Sequence, residues 1–388
     1  ANSLSSSKNI KIVVASSSIL VKELTYLEGE RISYYILPCG VRFDKYDRKY
    51  EQYWREITKK ECPDVVHIHG SEYYHGITYL NACPDMKDKI VLSIQGMPSV
   101  ISDYYTANLS KQDLRHALSI RDILTCYTIS QAKKAYKKKG DNFEIPLIKG
   151  IKHVIGRTTW DRSHVWAINS DVDYHFCNET LRDEFYEGDC WSYELCHKHT
   201  IFLSQAGYPV KGFHQLLKAM PLILRHYPDT QIRIAGSDIT NTKGIRNFLK
   251  LTGYGRFIKS LIKKYNLSNH ITFTGSLNAK EMKQEYLRSN VFVCPSSIEN
   301  SPNSLGEAQL LGVPCVASFV GGVMDMIPNE KCGLMYRFED VEMLAHAVIS
   351  IFTQSSNFDN RAMREEAAKR HDRLVNRESM LEIYKLIR

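Results

Sequence analysis

Short apolar runs alternate with helix-compatible stretches along this chain, and that alternation constrains the fold more than any other feature. "IKIVVA", "ISYYIL", "DVVHIH", "IVLSIQ", "HVIG" and "DYHFC" come first. After an aromatic and polar stretch, "EFYEGDCWSYELCHKH" (Glu184–His199), come "TIFLSQ", "QIRIAG", "ITFTG", "VFVCP" and "PCVAS". Such runs, spaced by helical lengths, predict parallel strands joined by crossover helices, an α/β chain. The two sets look architecturally alike. The expected division is 1–199, 200–371 and a terminal helix over 372–388. One connection is odd. Between "KIVVASSS" and "RISYYIL" only a short helix, Ile19–Gly29, fits, whereas a parallel crossover takes at least about 10–12 residues with its turns. This shortness favours a segment missing after the first strand over a minimal crossover.

With 388 residues, the chain has room for two α/β domains of ordinary size. No run of 18 apolar residues occurs, so no spanning helix is expected. The start, "ANSLSSSKN", has no signal-peptide apolar core and reads as a loose end. The ten cysteines are scattered without a C-x-x-C. Cys190 and Cys196, with His197 and His199, lack a second ligand pair, so reduced thiols in a cytosolic protein are the expectation, not zinc. Charge is uneven: residues 1–200 hold 27 Lys and Arg against 26 Asp and Glu, and 201–388 hold 24 against 17. A basic second half suits an anionic ligand such as a nucleotide. "QAKKAYKKKG" (Gln131–Gly140) is a local basic cluster, but no nucleic-acid recognition motif accompanies it. The first strand runs into "ASSSILVK" without a G-x-G-x-x-G, which argues against a dehydrogenase. Phosphate-loop, serine-elbow and zinc-protease motifs are likewise missing from the sequence.

The most specific chemistry lies in "SIENSPNSLGEAQLLGVPCVAS", residues 297–318. It reads loop, helix, strand after the run "VFVCPS", with the loop at a strand's carboxyl end, where open α/β sheets bind ligands. Ser301 reads as N-cap and Pro302 as the first helical residue, both favoured types there. Asn303 and Ser304 then present free N–H groups and the positive end of the helix dipole, an anion site fit for a diphosphate. Glu307 projects from the same face one turn deeper, where it can accept two ribose hydroxyls. Glu299 lies before the cap, on the other side of the phosphates. The bland alternative is a capped helix with solvated acids. Two neighbours count against it: "FVGGVMDMI" (Phe319–Ile327), whose paired glycines permit close backbone approach to a ligand, and Lys211 in "YPVKGFHQLLKA", a cation at the mouth of another strand.

These pieces, with "QIRIAGS" and "ITFTGSLNAKEM", make Thr200–Ile327 resemble the C-terminal domain of retaining glycosyltransferase family 4, which has the GT-B fold. "CPDVVHIHG" and "IVLSIQG" extend the resemblance more loosely into the first half. It implies two Rossmann-like domains facing each other across a cleft, with the last helix, "RLVNRESMLEIYKLIR", crossing back to the first domain. It implies that Glu307 binds the ribose and Glu299 the hydroxyls of the donor sugar. Asn300, Ser301, Pro302, Asn303 and Ser304 would supply backbone contacts, Lys211 would hold the diphosphate, and Gly212 and Gly236 would join the donor-binding set. The donor would be a UDP- or GDP-sugar and the acceptor a saccharide or lipid-linked hydroxyl, in cell-surface polysaccharide or glycolipid synthesis. Transfer would be a retaining front-face substitution without metal or cofactor, since "DVD" (Asp171–Asp173) adjoins a strand away from the donor unit. A phosphorylase of similar fold would need a pyridoxal phosphate lysine, and none is identifiable.

Two departures matter. The family usually has an Arg five or six residues before the Lys, where this chain has Ala206 and Gln205. Where members often have His at the end of the fourth strand, it has Gln95 and Gly96. Arg157, after the run "HVIG", is the candidate replacement for the missing fork, with surface or capping roles as its alternative. His69, ending "DVVHIH", is a cleft candidate or a structural turn residue. The missing Arg also keeps open a rival: a catalytically weak nucleotide-sugar-binding partner of a larger glycan assembly. The expected location is cytoplasmic, peripheral at the inner membrane face if the Lys133–Lys139 cluster recruits an anionic surface.

Overall fold

The computed structural model describes residues 4, 10–39 and 46–388. Its second half is one six-stranded parallel sheet of β8 (Thr200–Leu203), β9 (Gln231–Ile234), β10 (Ile271–Phe273), β11 (Val291–Cys294), β12 (Cys315–Ser318) and β13 (Leu334–Tyr336). The order β10-β9-β8-β11-β12-β13 is that of a dinucleotide-binding doubly wound sheet. β8 and β11 are buried along their whole length, so they read as continuous apolar runs instead of alternating ones. Between β8 and β11 the chain winds in opposite directions. Loops leaving those two strands therefore diverge and open a crevice at their carboxyl ends.

The first half contains a parallel sheet of β4 (Val66–His69), β5 (Ile90–Ser93), β6 (His153–Gly156) and β7 (Asp173–Phe176), in that order. A second sheet pairs β1 (Ile12–Ser18) in parallel with β3 (Ile32–Pro38). The helix expected over Ile19–Gly29 does not form. The chain turns and returns as β2 (Thr25–Leu27), antiparallel to β3. Ile19 and Leu20 are exposed, so no apolar helix face is available. Tyr26 instead stacks against Tyr35, its partner across the pair, and takes Lys60 over its ring.

The aromatic stretch before β8 is no loose tether. Phe185, Trp191 and Cys196 are buried against the second sheet's helices, and the Trp191 indole N–H donates to the Ser289 carbonyl at 2.7 Å. At the far end, the Arg373–Ile387 helix lies on the first half, with Ile383 and Ile387 packed on Val91 and Ile155. The halves also meet directly. Thr158 and Asp161, which cap the Thr159–Ile168 helix, both hydrogen-bond the buried Asn300 amide, at 2.7 and 2.9 Å. Thr159 bonds Asp325 in the same way.

Candidate functional site

The crevice between β8 and β11 is closed on one side by Gly212, whose φ of 66° seats the Pro209–Lys211 turn against the next loop. A Cβ there would lie 1.6 Å from the Pro295 carbonyl oxygen, so the two loops can approach only over a glycine. The result brings Lys211 and Glu299 together, Nζ to Oε1 at 2.7 Å, with the Ser296 hydroxyl donating to the same oxygen at 2.6 Å. Burial works against the Lys211 charge, but the charges of Glu299 and Tyr208 and the hydrogen bond to Glu299 outweigh it. Its pKa lies above the ordinary lysine value.

The helix beyond runs Asn303–Leu311, one position later than the sequence pattern predicts. Pro302 is extended and acts as the residue before the helix, its carbonyl accepting from Leu305 at 2.9 Å. Ser301 does not cap: its hydroxyl points to the Met326 sulfur at 3.7 Å. The first-turn N–H groups of Asn303 and Ser304 thus stay outside the helical ladder. The paired glycines permit a close approach within the chain itself. Gly322 donates its N–H to the Glu299 carbonyl at 3.0 Å, and a Cβ on Gly321 would strike the same oxygen. They hold the Glu299–Asn300 backbone in place because no side chain fits there.

Glu307 is buried one turn below Asn303 and is not empty-handed. Arg182 pairs with it through two parallel bonds, Nε to Oε1 at 2.8 Å and Nη2 to Oε2 at 2.9 Å. Burial raises the Glu307 pKa, and the Arg182 guanidinium pulls the other way. Arg157 follows β6 and is buried, its Nη2 shared between the Ile94 carbonyl at 3.0 Å and the Glu179 carboxylate at 2.7 Å. Glu179 also accepts from the Gln95 amide at 3.0 Å and the Asn303 amide at 3.1 Å. One carboxylate therefore gathers Gln95, Arg157 and Asn303 from both halves. Sequence reading missed Glu179 and Arg182, which stand more than 120 residues before their helix partners. The available signal was two opposite charges three apart, "ETLR", just after a strand end.

The remaining candidates lie further out. His69 stacks on His67 at 4.0 Å at the end of β4. The Glu72 carboxylate fills the space over Gly70 and Gly96, so Gly96 carries a protein group there. Gly236, at the end of β9, bonds Gly275 in a small bridge, with open space where its Cβ would be. An open concavity of about 710 Å³ lies elsewhere, at the opposite end of β6 and β7, lined by Lys152, His153, Trp166, Asp173 and His175. The carboxyl-end crevice, where the convergent charges lie, is the candidate site, and this hollow is not.

Two α/β halves built on parallel sheets, the second doubly wound with a switch-point crevice, have the architecture of the GT-B fold. Residues 197–371 match the family model of glycosyl transferases group 1. Spore coat protein SA of Bacillus subtilis is 29% identical over 149 residues, 38% of this chain and 37% of that protein. A D-inositol 3-phosphate glycosyltransferase of Corynebacterium urealyticum is 26% identical over 42% of this chain and 36% of its own. The match thus spans little more than a third of the length of these relatives. Among solved structures, sucrose-phosphate synthase from Thermosynechococcus elongatus superposes with a TM-score of 0.70 at 16% identity, covering 97% of this chain and 89% of that one. Anabaena HepE, in complex with UDP and glucose, gives 0.63 at 14% identity, covering 91% and 86%.

Proposed function

We propose that this chain is a retaining glycosyltransferase moving a sugar from a nucleotide diphosphate donor to a hydroxyl acceptor. The carrying observation is the Asn303–Leu311 helix start at the switch point, with Glu307 one turn inside and the Lys211–Glu299 pair across the loop. Glu307 takes the two ribose hydroxyls, and the helix N–H groups take the diphosphate with Lys211 and Arg157. Glu299 holds the donor sugar through its hydroxyls. The C1–oxygen bond to phosphate breaks and its electron pair leaves with the diphosphate. The acceptor oxygen bonds C1 from the same face, and its proton passes to the departing phosphate oxygen. Lys211, Arg157 and the helix start balance the leaving charge in this scheme, which calls for no metal.

In this reading residues 1–199 form the acceptor side, with His69, Gln95 and Gly96 at its edge. Residues 200–371 form the donor side, and the helix within 372–388 ties the two. UDP and GDP are both candidate bases: HepE was solved with UDP and glucose, and a Corynebacterium glutamicum relative, 27% identical over 62% of this chain, is a GDP-mannose-dependent mannosyltransferase. Titration of UDP-, GDP- and matched sugar nucleotides by calorimetry tests the assignment. Glu307→Ala should weaken the preferred nucleotide roughly 10- to 150-fold, from loss of charge-assisted bonds worth about 1.5–3 kcal/mol. Unchanged binding would refute the ribose role. The rival, a binding partner with weak catalysis, draws on Gln205 and Ala206 at the usual Arg position; binding without transfer or donor hydrolysis would favour it.

An anionic membrane surface at the inner face is the proposed partner, carrying a lipid-linked acceptor. Two short helices in contact, Ile120–Thr125 from the first half and Ile245–Lys250 from the second, expose Ile123, Leu124, Ile245 and Phe248. Arg121, Arg246 and Lys250 are their exposed charges, while Asp122 is buried in its own helix cap. Apolar side chains among cations fit a negatively charged lipid interface.

A further inference from the structure

We infer that the crossover segment Glu179–Arg182 is an internal stand-in for the donor, which a nucleotide must displace to bind. The inference rests on the donor-site reading above and deepens it. Glu179 sets a carboxylate among three donors that converge on the cleft: the Arg157 guanidinium assigned to the diphosphate at 2.7 Å, the Asn303 side-chain amide at the helix start at 3.1 Å and the Gln95 amide at the acceptor edge at 3.0 Å. All three are donors, which is what an anion needs and what a carboxylate can imitate. Three residues on, Arg182 occupies both oxygens of Glu307, at 2.8 and 2.9 Å. Those are the two oxygens a ribose diol would require. The segment thus presents an anion and a hydrogen-bond donor pair in the order that a diphosphate and ribose present theirs.

The backbone holds this arrangement from behind. Leu181 is buried beside Phe185, and its N–H donates to the Tyr186 hydroxyl at 2.9 Å. Tyr186 in turn donates to the His371 carbonyl at 2.7 Å, and His371 Nδ1 donates to the Glu179 carbonyl at 2.8 Å. This support is incomplete. His371 Nε2 is buried against Gly306 without a partner among the described residues. Both charged side chains keep part of their surface in water, so leaving the site does not uncover a buried core. A diphosphate and the Glu179 carboxylate cannot share Arg157 and Asn303, because two anions in one site repel. Apparent donor affinity is then lowered by the fraction of molecules whose segment is in place.

The test titrates UDP and GDP into the full chain and into Glu179→Gln, Arg182→Gln and the double variant, with melting curves to confirm folding. Glu179→Gln keeps the shape but removes the competing charge, and it should bind the preferred nucleotide about tenfold tighter, with the double variant at least as tight. Glu187→Gln, an exposed neighbouring acid outside the site, should leave affinity unchanged. Nucleotide should also speed hydrogen exchange over 178–182 in the wild type while slowing it over 303–307. Folded variants that bind no tighter than wild type would overturn the inference and leave the donor site standing. Binding of neither nucleotide by any of the four chains would bring down the donor-site reading, and the inference with it.

Discussion

Buried between two serines in the first half, Glu144 accepts from Ser71 Oγ at 3.2 Å and from Ser99 through both its hydroxyl and its N–H. Burial pushes its pKa up to about 7, with the serine bonds pulling down and neighbouring Glu72 pushing up. The folded chain therefore holds a proton that the unfolded chain gives up near pH 4.5. Stability from this group is full below that pH, falls as pH rises through the window, and is lost above about 7. Glu144→Gln should melt like wild type near pH 4 and be more stable at pH 8, by on the order of 2–3 kcal/mol. An equal gap at both pH values would reject the assignment. At Arg157, lysine keeps the charge but cannot reach both the Ile94 carbonyl and Glu179. Arg157→Lys should lower transfer at least tenfold while the chain still folds; normal turnover would leave Lys211 as the principal phosphate cation.

At the scale of elements, the site depends on turns that bring loops closer than a side chain allows. Gly212 shows this most directly. Alanine there meets both an unfavourable left-handed φ of 66° and a contact 1.6 Å from the Pro295 oxygen. The backbone penalty alone is about 1 kcal/mol, and the contact must push the two loops apart. Gly212→Ala should shift the urea midpoint by an amount equivalent to more than about 2 kcal/mol and weaken nucleotide binding by separating Lys211 from Glu299. A variant with wild-type midpoint and affinity would show that the loops adjust freely. The one-position shift at the Asn303 helix belongs to this scale too. Ser301 and Pro302 have the right residue types for a cap, but Met326 draws the serine hydroxyl away, and no local pattern encodes Met326.

At the scale of the whole molecule, the proposed membrane recruitment invokes a basic helix and an apolar patch. The lysine helix Ile129–Lys139 is capped by Thr128, buries Ala132, and packs Tyr136 on Tyr105. Lys137 pairs with Asp141 at 3.7 Å, and Lys139 lies over the Tyr73 and Tyr136 rings, so the five lysines are unequal. Each exposed lysine near an anionic bilayer contributes about 1 kcal/mol, screened by salt. Changing Lys133, Lys134, Lys137, Lys138 and Lys139 to Gln should reduce sedimentation with anionic vesicles at least tenfold at low salt. Ile123→Ser with Phe248→Ser should reduce it at any salt. Equal binding by all three proteins, or equal binding to neutral vesicles, would reject surface recruitment.

Much of the fold was legible because its causes are local. β-Branched apolar runs specify strands within a few residues, and all eleven quoted runs contain or adjoin strands of the two halves. The double-glutamate unit was legible for the same reason, since a helix start and a residue one turn inside it are set by a short span of chain. β2 and β13 were not, being three residues each and held by pairing partners instead of by their own pattern. The charge partners were beyond reach for a stronger reason. Glu307 meets Arg182, Arg157 meets Glu179, and Asn300 meets Thr158 only because two halves and a returning crossover are packed together. Sequence alone determined where an anion site could form; the tertiary structure decided which of the chain's own charges stand in it.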